Sequence, residues 1–301
     1  SGIGVMLAAS NWSGNVTNSG TITGGYIGMV IGATNTEGLN AVTGSFNGTI
    51  TNTGSIGGGQ TGLYITAENF TGSVDNSGNI TGDDGVGVNF VGASSDAVFG
   101  NKFSPGTFTN TGSIVGNSTG LRIAFDSITA DILNDVGGYI SGGSTGAYIS
   151  ANTFTGDITN NGVIEGFDDD TGLHIVTTGT HTGNIVNNGL LDASGNALHL
   201  EIDTLVGSIV NNGTIQANTG ATAVLLDIGS NATFFNDGEI SGNLDLGGEG
   251  YGGTPSLTLR AQNGGIAGNI NGFGSEGNND YVDVRGTHYF VDGGGENGTA
   301  S

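Results

Sequence analysis

An Asn followed by a small or polar residue returns nine times along the chain, at Asn18, Asn52, Asn76, Asn110, Asn134, Asn160, Asn187, Asn211 and Asn236. In every copy but Asn134 the residue after next is Gly. Successive Asn residues lie 34, 24, 34, 24, 26, 27, 24 and 25 positions apart. A short unit that recurs at so constant a spacing cannot bury an apolar face alone. It is buried by stacking on its neighbours, which restricts the chain to a repeat architecture.

Aligned on that Asn, the apolar residues fall into columns. Two residues before it stand β-branched or aromatic side chains, from Val16 and Ile50 through Ile158 to Phe234. Four residues after it stand Ile22, Ile56, Ile80, Ile114, Ile164, Leu191, Ile215 and Ile240, and in the fifth repeat an extra Val136-Gly137 moves the equivalent residue to Ile140. A third apolar pair reads Leu63/Ile65, Val86/Val88, Leu121/Ile123, Ala147/Ile149, Leu173/Ile175 and Leu198/Leu200. Six residues before the Asn runs Trp12, Phe46, Phe70, Ser104, Ile128, Phe154, His181, Leu205 and Ser230, a column expected to stack rings inward at a corner. His181 therefore reads as core filling with a polar tip rather than as a metal ligand.

Apolar and polar residues alternate in these runs, and Gly, Asn, Asp and Thr separate them, which predicts short strands joined by turns. No window carries the 3.6-residue period of an amphipathic helix. Three short strands per unit of about 24 residues make one coil of an all-β parallel β-solenoid, or β-helix, of nine or more coils. With strands about 4.8 Å apart, nine to eleven coils give a rod of roughly 45–55 Å. A buried Asn in the same place on each coil is expected to hydrogen-bond its equivalents above and below, forming a ladder. The Gly two residues on is expected to supply positive φ. Asn as a plain turn former is the alternative, but that habit does not demand Asn at one position in all nine units.

Residues 1–242 hold the regular coils. Residues 243–301 read as degenerate coils of the same domain ending in a mobile tail near Gly293–Gly298, with strands still suggested at Leu257-Thr258-Leu259, Ile266, Ile270, Tyr281–Val284 and His288–Val291. The sequence opens with Ser1, and Gly4–Leu7 already reads as a third strand, so the chain is expected to be a processed or excised form that begins in mid-coil. Open strand edges at both ends suggest head-to-tail stacking into filaments. The two long intervals carry insertions at one corner, Ala33–Thr43 and Ala93–Pro105. These loops are predicted to project side by side, marking a binding face or tolerated drift.

Four Lys and Arg against 27 Asp and Glu give a net charge of −23. That charge disfavours nucleic acid and anionic lipid, both of which need a basic surface, and suits divalent cations or a saline exterior. The chain has no Cys, and no apolar run approaches membrane-spanning length, so it is not expected to insert in a membrane. A lyase acting on acidic sugars needs clustered cations and a base, but Lys102, Arg122, Arg260 and Arg285 are scattered. For a hydrolase, Glu201 and Asp203 face one side of a strand, with no carboxylate or base expected beside them. The four His, at 174, 181, 199 and 288, are not expected to converge. No cofactor is implied. Calcium is the one ion considered, at the turn Asp168, Asp169 and Asp170 or at Gly274–Asp280. The candidate ligand surface is the outward column of the third strand, Tyr64, Gly87, Arg122, Tyr148, His174 and His199. Its planar side chains would stack on sugar rings or a protein ligand, or else are residues that merely suit strands.

The phrase Thr155-Gly156-Asp157-Ile158-Thr159-Asn160-Asn161-Gly162-Val163-Ile164-Glu165-Gly166 resembles the repeats of bacterial autotransporter passenger domains and related secreted adhesins. The stretch Gly265–Gly272 through Asn279–Val282 is similar to the segment that often precedes the translocator barrel in that group. The resemblance implies export to the bacterial cell surface. It makes the chain an expected extracellular structural or adhesive element, non-catalytic, with itself, a host or neighbouring cell surface, or a glycan as partner. A carbohydrate-active β-helix enzyme is the alternative.

Overall fold

A computed structural model describes residues 2–9, 11–34, 41–42, 44–92, 101–167, 171–245, 257–261, 264–271 and 281–284. The described residues are strands and turns with no helix. Each coil of the β-solenoid has three faces. The first carries the ring column and ends on the repeated Asn, as in Ser45–Asn52 and Asn69–Asn76. The second is a four-residue strand such as Ser55–Gly58 or Asn79–Gly82, and ten such strands stack into one sheet. The third includes Thr61–Ala67, Val86–Gly92, Thr119–Ala124 and Thr145–Ala151. Strands such as Thr171–Thr182 run through the corner and join the first and third faces into a single 24-stranded sheet. Among the described residues every pairing between coils is parallel, and the one antiparallel pair is the small hairpin Ala33–Thr34 with Ala41–Val42.

The Asn ladder is continuous. Nδ2 of Asn18, Asn52, Asn76, Asn110, Asn134, Asn160 and Asn187 each donates to Oδ1 of the next Asn at 2.8 Å, and Asn211 donates to Asn236 at 2.7 Å. The same amides also reach carbonyls across the turn, for instance Asn160 to Leu190 O at 3.0 Å. All nine are buried, and a buried amide without partners would cost 1–3 kcal/mol or so. A second, exposed ladder stands beside it, where Asn188 donates to Asn161 and Asn212 to Asn188, both at 2.8 Å.

The glycine of the Asn-x-Gly unit is needed for a reason other than positive φ. The glycines with φ between +130° and +157° on the first face, Gly14, Gly48, Gly72, Gly156 and Gly183, lie four residues before the Asn at a different corner. Gly54, Gly78, Gly189, Gly213 and Gly238 are required by stacking: a Cβ on any of them would overlap the carbonyl oxygen of the equivalent Gly one coil below. In the fifth unit Val136 and Gly137 bulge outward, Val136 with 76% exposure, and Gly138 takes the column position. Ile140 then pairs with Ile114, as expected.

Two columns shift from their expected residues, each because a corner carries one extra residue. The turn Asp83-Asp84-Gly85 is longer than Gly59-Gln60, so Val88 and Phe90, not Val86 and Val88, pair with Leu63 and Ile65. Phe103, not Ser104, pairs with Phe70 and Ile128, and Ser104-Pro105, joined by a cis peptide, forms a bulge before Gly106. Phe103 then packs edge-on to Phe70 at 5.5 Å, beside Phe90 and Phe125. These rings are buried and each is worth about 1.5–3 kcal/mol over its exposed state.

Ser230 is also outside the ring stack: its half-buried hydroxyl accepts from Leu205 N at 2.9 Å. Of the two expected insertions, residues 35–40, 43 and 93–100 lie outside the described residues, and Lys102–Pro105 belongs to the strand Lys102–Asn110 rather than to a loop. Beyond residue 242 the coils keep their register. Leu259 pairs with Phe234, Ile266 with Ile240, Ile270 with Leu244 and Val282 with Leu259, while Ala261 stands where the ladder Asn would be. The segments 285–301 and 272–280, which hold the expected tail, His288–Val291 and the whole Gly274–Asp280 turn, lie outside the described residues.

Candidate functional site

Strand alternation on the third face sends Leu63, Val88, Leu121, Ala147, Leu173 and Leu198 inward. The next residue of each strand therefore points out. Register places Tyr64, Asn89, Arg122, Tyr148, His174, His199 and Leu225 in one line up the rod. Asn89 replaces the expected Gly87, which the register sets opposite Gly62, two places before the outward position. A Cβ on Gly87 would strike the Val115 and Gly120 carbonyls, so it sits against backbone rather than in the column.

The stripe is internally bonded. Arg122 Nη1 donates to Asn89 Oδ1 at 3.3 Å, and its guanidinium lies 5.9 Å from the Tyr148 ring centre. Tyr148 meets His174 edge-to-face at 5.2 Å, and His174 and His199 stack at 4.4 Å with 8° between their planes. The imidazoles cover one another's faces. What they offer a ligand is ring edges and nitrogens, not the π-surface expected for sugar stacking. Burial raises the Tyr64 hydroxyl above its ordinary value, against a lowering pull from Thr66 and Arg122.

A second outward line runs parallel to the first, two residues along each strand: Val176, Glu201 and Asp227. It brings Glu201 Oε1 to 2.8 Å from His174 Nε2 and 3.5 Å from His199 Nε2, and Asp227 Oδ2 to 3.4 Å from His199 Nε2. Two expectations are corrected by this. His174 and His199 do converge, and Glu201 has partners, because coil stacking sets His174 beside the strand that carries both His199 and Glu201, and the next coil adds Asp227. His174 Nε2 and Glu201 Oε1 share a hydrogen bond, while His199 Nε2 is buried and makes none. Burial, then the neighbouring His199, holds the His174 imidazole below the usual histidine range, and Glu201 opposes the shift.

The other expected positions do not join this group. Asp168, Asp169 and Asp170, and with them the calcium assignment, lie outside the described residues. His181 is fully buried and stacks flat on Phe154 at 4.6 Å, as a member of the ring column. Asp203 is half-buried on the Glu201 strand. The sequence carries a signal for the cluster: Val176, Glu201 and Asp227 align as a second outward column, two residues beyond the first, which sets both carboxylates beside the His pair. No protein-family model, curated protein or solved structure matches the chain.

Proposed function

We propose that the chain is an extracellular β-solenoid of the bacterial cell surface, a non-catalytic structural and adhesive element whose third face engages a glycan or protein ligand. The observation that carries this reading is the stripe from Arg122 to His199, whose polar and planar groups repeat at coil spacing on a rigid face. Such a surface reads a ligand of repeating chemistry by register. Support also comes from the charge of −23, which keeps a rod soluble and apart from anionic polymers. In-register parallel pairing throughout is equally compatible with one copy stacking on another. A glycan array followed by retention assays tests the reading. Tyr148→Ala with His174→Ala should abolish retention and leave the melting temperature unchanged; no binding on the array, or binding indifferent to the pair, overturns the glycan ligand.

A second reading, a carbohydrate-active enzyme, is favoured by one observation: Glu201 and Asp227 stand in register on neighbouring coils, each with a carboxylate oxygen within 3.5 Å of His199 Nε2. Acidic and neutral polysaccharides are the substrates to screen. Turnover that disappears in Glu201→Gln or Asp227→Asn would put this reading first.

A further inference from the structure

We propose that His174, His199 and Glu201 form a binding site for one divalent transition-metal ion of the zinc type, with Asp227 beside it. One donor atom from each of the three lies within 4.8 Å of the other two, and among the described residues no other trio of His, Cys, Asp or Glu comes as close. The donor set is two imidazole nitrogens and a carboxylate oxygen. This combination suits zinc, cobalt, nickel or copper, whereas calcium takes oxygens only.

Distances support the assignment. Bonds of about 2.0–2.1 Å in a tetrahedral site set neighbouring donors roughly 3.3 Å apart. His199 Nε2 stands 3.5 Å from Glu201 Oε1 and needs almost no movement. His174 Nε2, at 2.8 Å from the same oxygen, must open by about half an ångström, exchanging a hydrogen bond for a shared ion. The independent observation is the His199 nitrogen itself. It is buried, makes no hydrogen bond, and has two carboxylate oxygens near it, at 3.5 and 3.4 Å. A buried ring nitrogen without a partner is unfavourable, and a cation between it and the carboxylates removes that cost. The three ligands tie together two successive coils and leave a fourth position for water or for a ligand's donor atom, beside which Asp227 Oδ2 stands on the next coil. The half-exposed Glu201 side chain supplies the entry path. The inference does not depend on what the stripe binds.

The test uses the untagged chain, stripped with chelator and titrated with Zn²⁺ by calorimetry, with Co²⁺ as the spectroscopic probe. One ion per chain is expected, with binding weakened 100-fold or so in His174→Ala and in His199→Ala, and about 10–100-fold in Glu201→Gln. Asp168→Asn, Asp169→Asn and Asp170→Asn together should leave it unchanged. Wild-type Co²⁺ absorption of four- or five-coordinate intensity, with a melting temperature raised by Zn²⁺ and not by Ca²⁺, gives a readout that needs no variant to fold. Absence of stoichiometric binding, binding retained in both His variants, or binding lost with the three Asp instead would each overturn the site.

Discussion

At the scale of single residues, the ladder makes the Asn amide a two-sided device: each accepts from the coil before and donates to the coil after. Asn160 accepts from Asn134 and donates to Asn187, both at 2.8 Å. Asn160→Ala removes both bonds: the Asn187 Oδ1 loses its ladder donor and the Asn134 Nδ2 keeps only its carbonyl acceptors Gly138 O and Val163 O, so a loss of about 1–3 kcal/mol is expected. Thr159→Ala on the outward side should change stability by no more than about 0.5 kcal/mol; equal shifts in chemical denaturation would contradict the ladder's role. His181 has the opposite character, a titratable ring in an apolar column with neither nitrogen bonded. Burial pushes its pKa down to about 4, partly offset by the Asp157 charge. The folded value lies below the ordinary 6.5, so between the two the unfolded chain binds more protons. Its contribution is therefore complete above pH 6.5 or so and is lost as pH falls towards 4, by about 3 kcal/mol. His181→Phe, which continues the Phe154 stack, should flatten stability against pH across this window and raise it at the acid end. An unchanged slope in melts from pH 4 to 7 would show that other groups set it.

At the scale of the element, the Asn-x-Gly corner is specified by close approach rather than by turn propensity. Gly189→Ala would drive a methyl into the Gly162 carbonyl, and backbone stacked on both sides cannot retreat. A loss of about 2–4 kcal/mol is expected, against less than about 1 kcal/mol for Gly20→Ala, where no atom lies within 4 Å of the added carbon. Insertions outward are tolerated because they leave the column intact, as Val136-Gly137 does. Deleting those two residues turns Asn134-Asp135-Gly138 into the same Asn-Asp-Gly corner as Asn236-Asp237-Gly238. The deletion should keep the fold and alter stability by no more than about 1 kcal/mol, read by thermal melting. Unfolding of the deletant would mean that the bulge, not the column, fixes that corner.

At the scale of the whole molecule, each coil bonds its neighbours through the same parallel register, so stability is close to a sum of coil and interface terms. The same register makes one copy a template for another, and a heterologous contact of that kind does not close. Filaments are therefore expected in electron micrographs at high concentration; monodisperse short rods at every concentration would rule self-stacking out.

The strongest legible signals were the columns. Nine Asn residues at one phase and Ile at four residues beyond define a stacked coil before any coordinate is known, because a side chain that repeats at the coil period must meet its own copy. The outward stripe was legible to the same degree, from Arg122 to His199. Where the alignment slipped, at Gly87 against Asn89 and Ser104 against Phe103, a single residue absorbed in a turn or a bulge had shifted the phase, and sequence spacing does not say on which side of a corner the extra residue is taken up. The glycine requirement was legible in position but not in cause, since overlap with a backbone oxygen one coil below is a property of stacking and not of the local tripeptide. The His174–His199–Glu201 group was legible only in part. His199 and Glu201 alternate on one strand, but His174 lies a full coil earlier in sequence, and only the strand register, set by the buried columns beneath, brings it beside them.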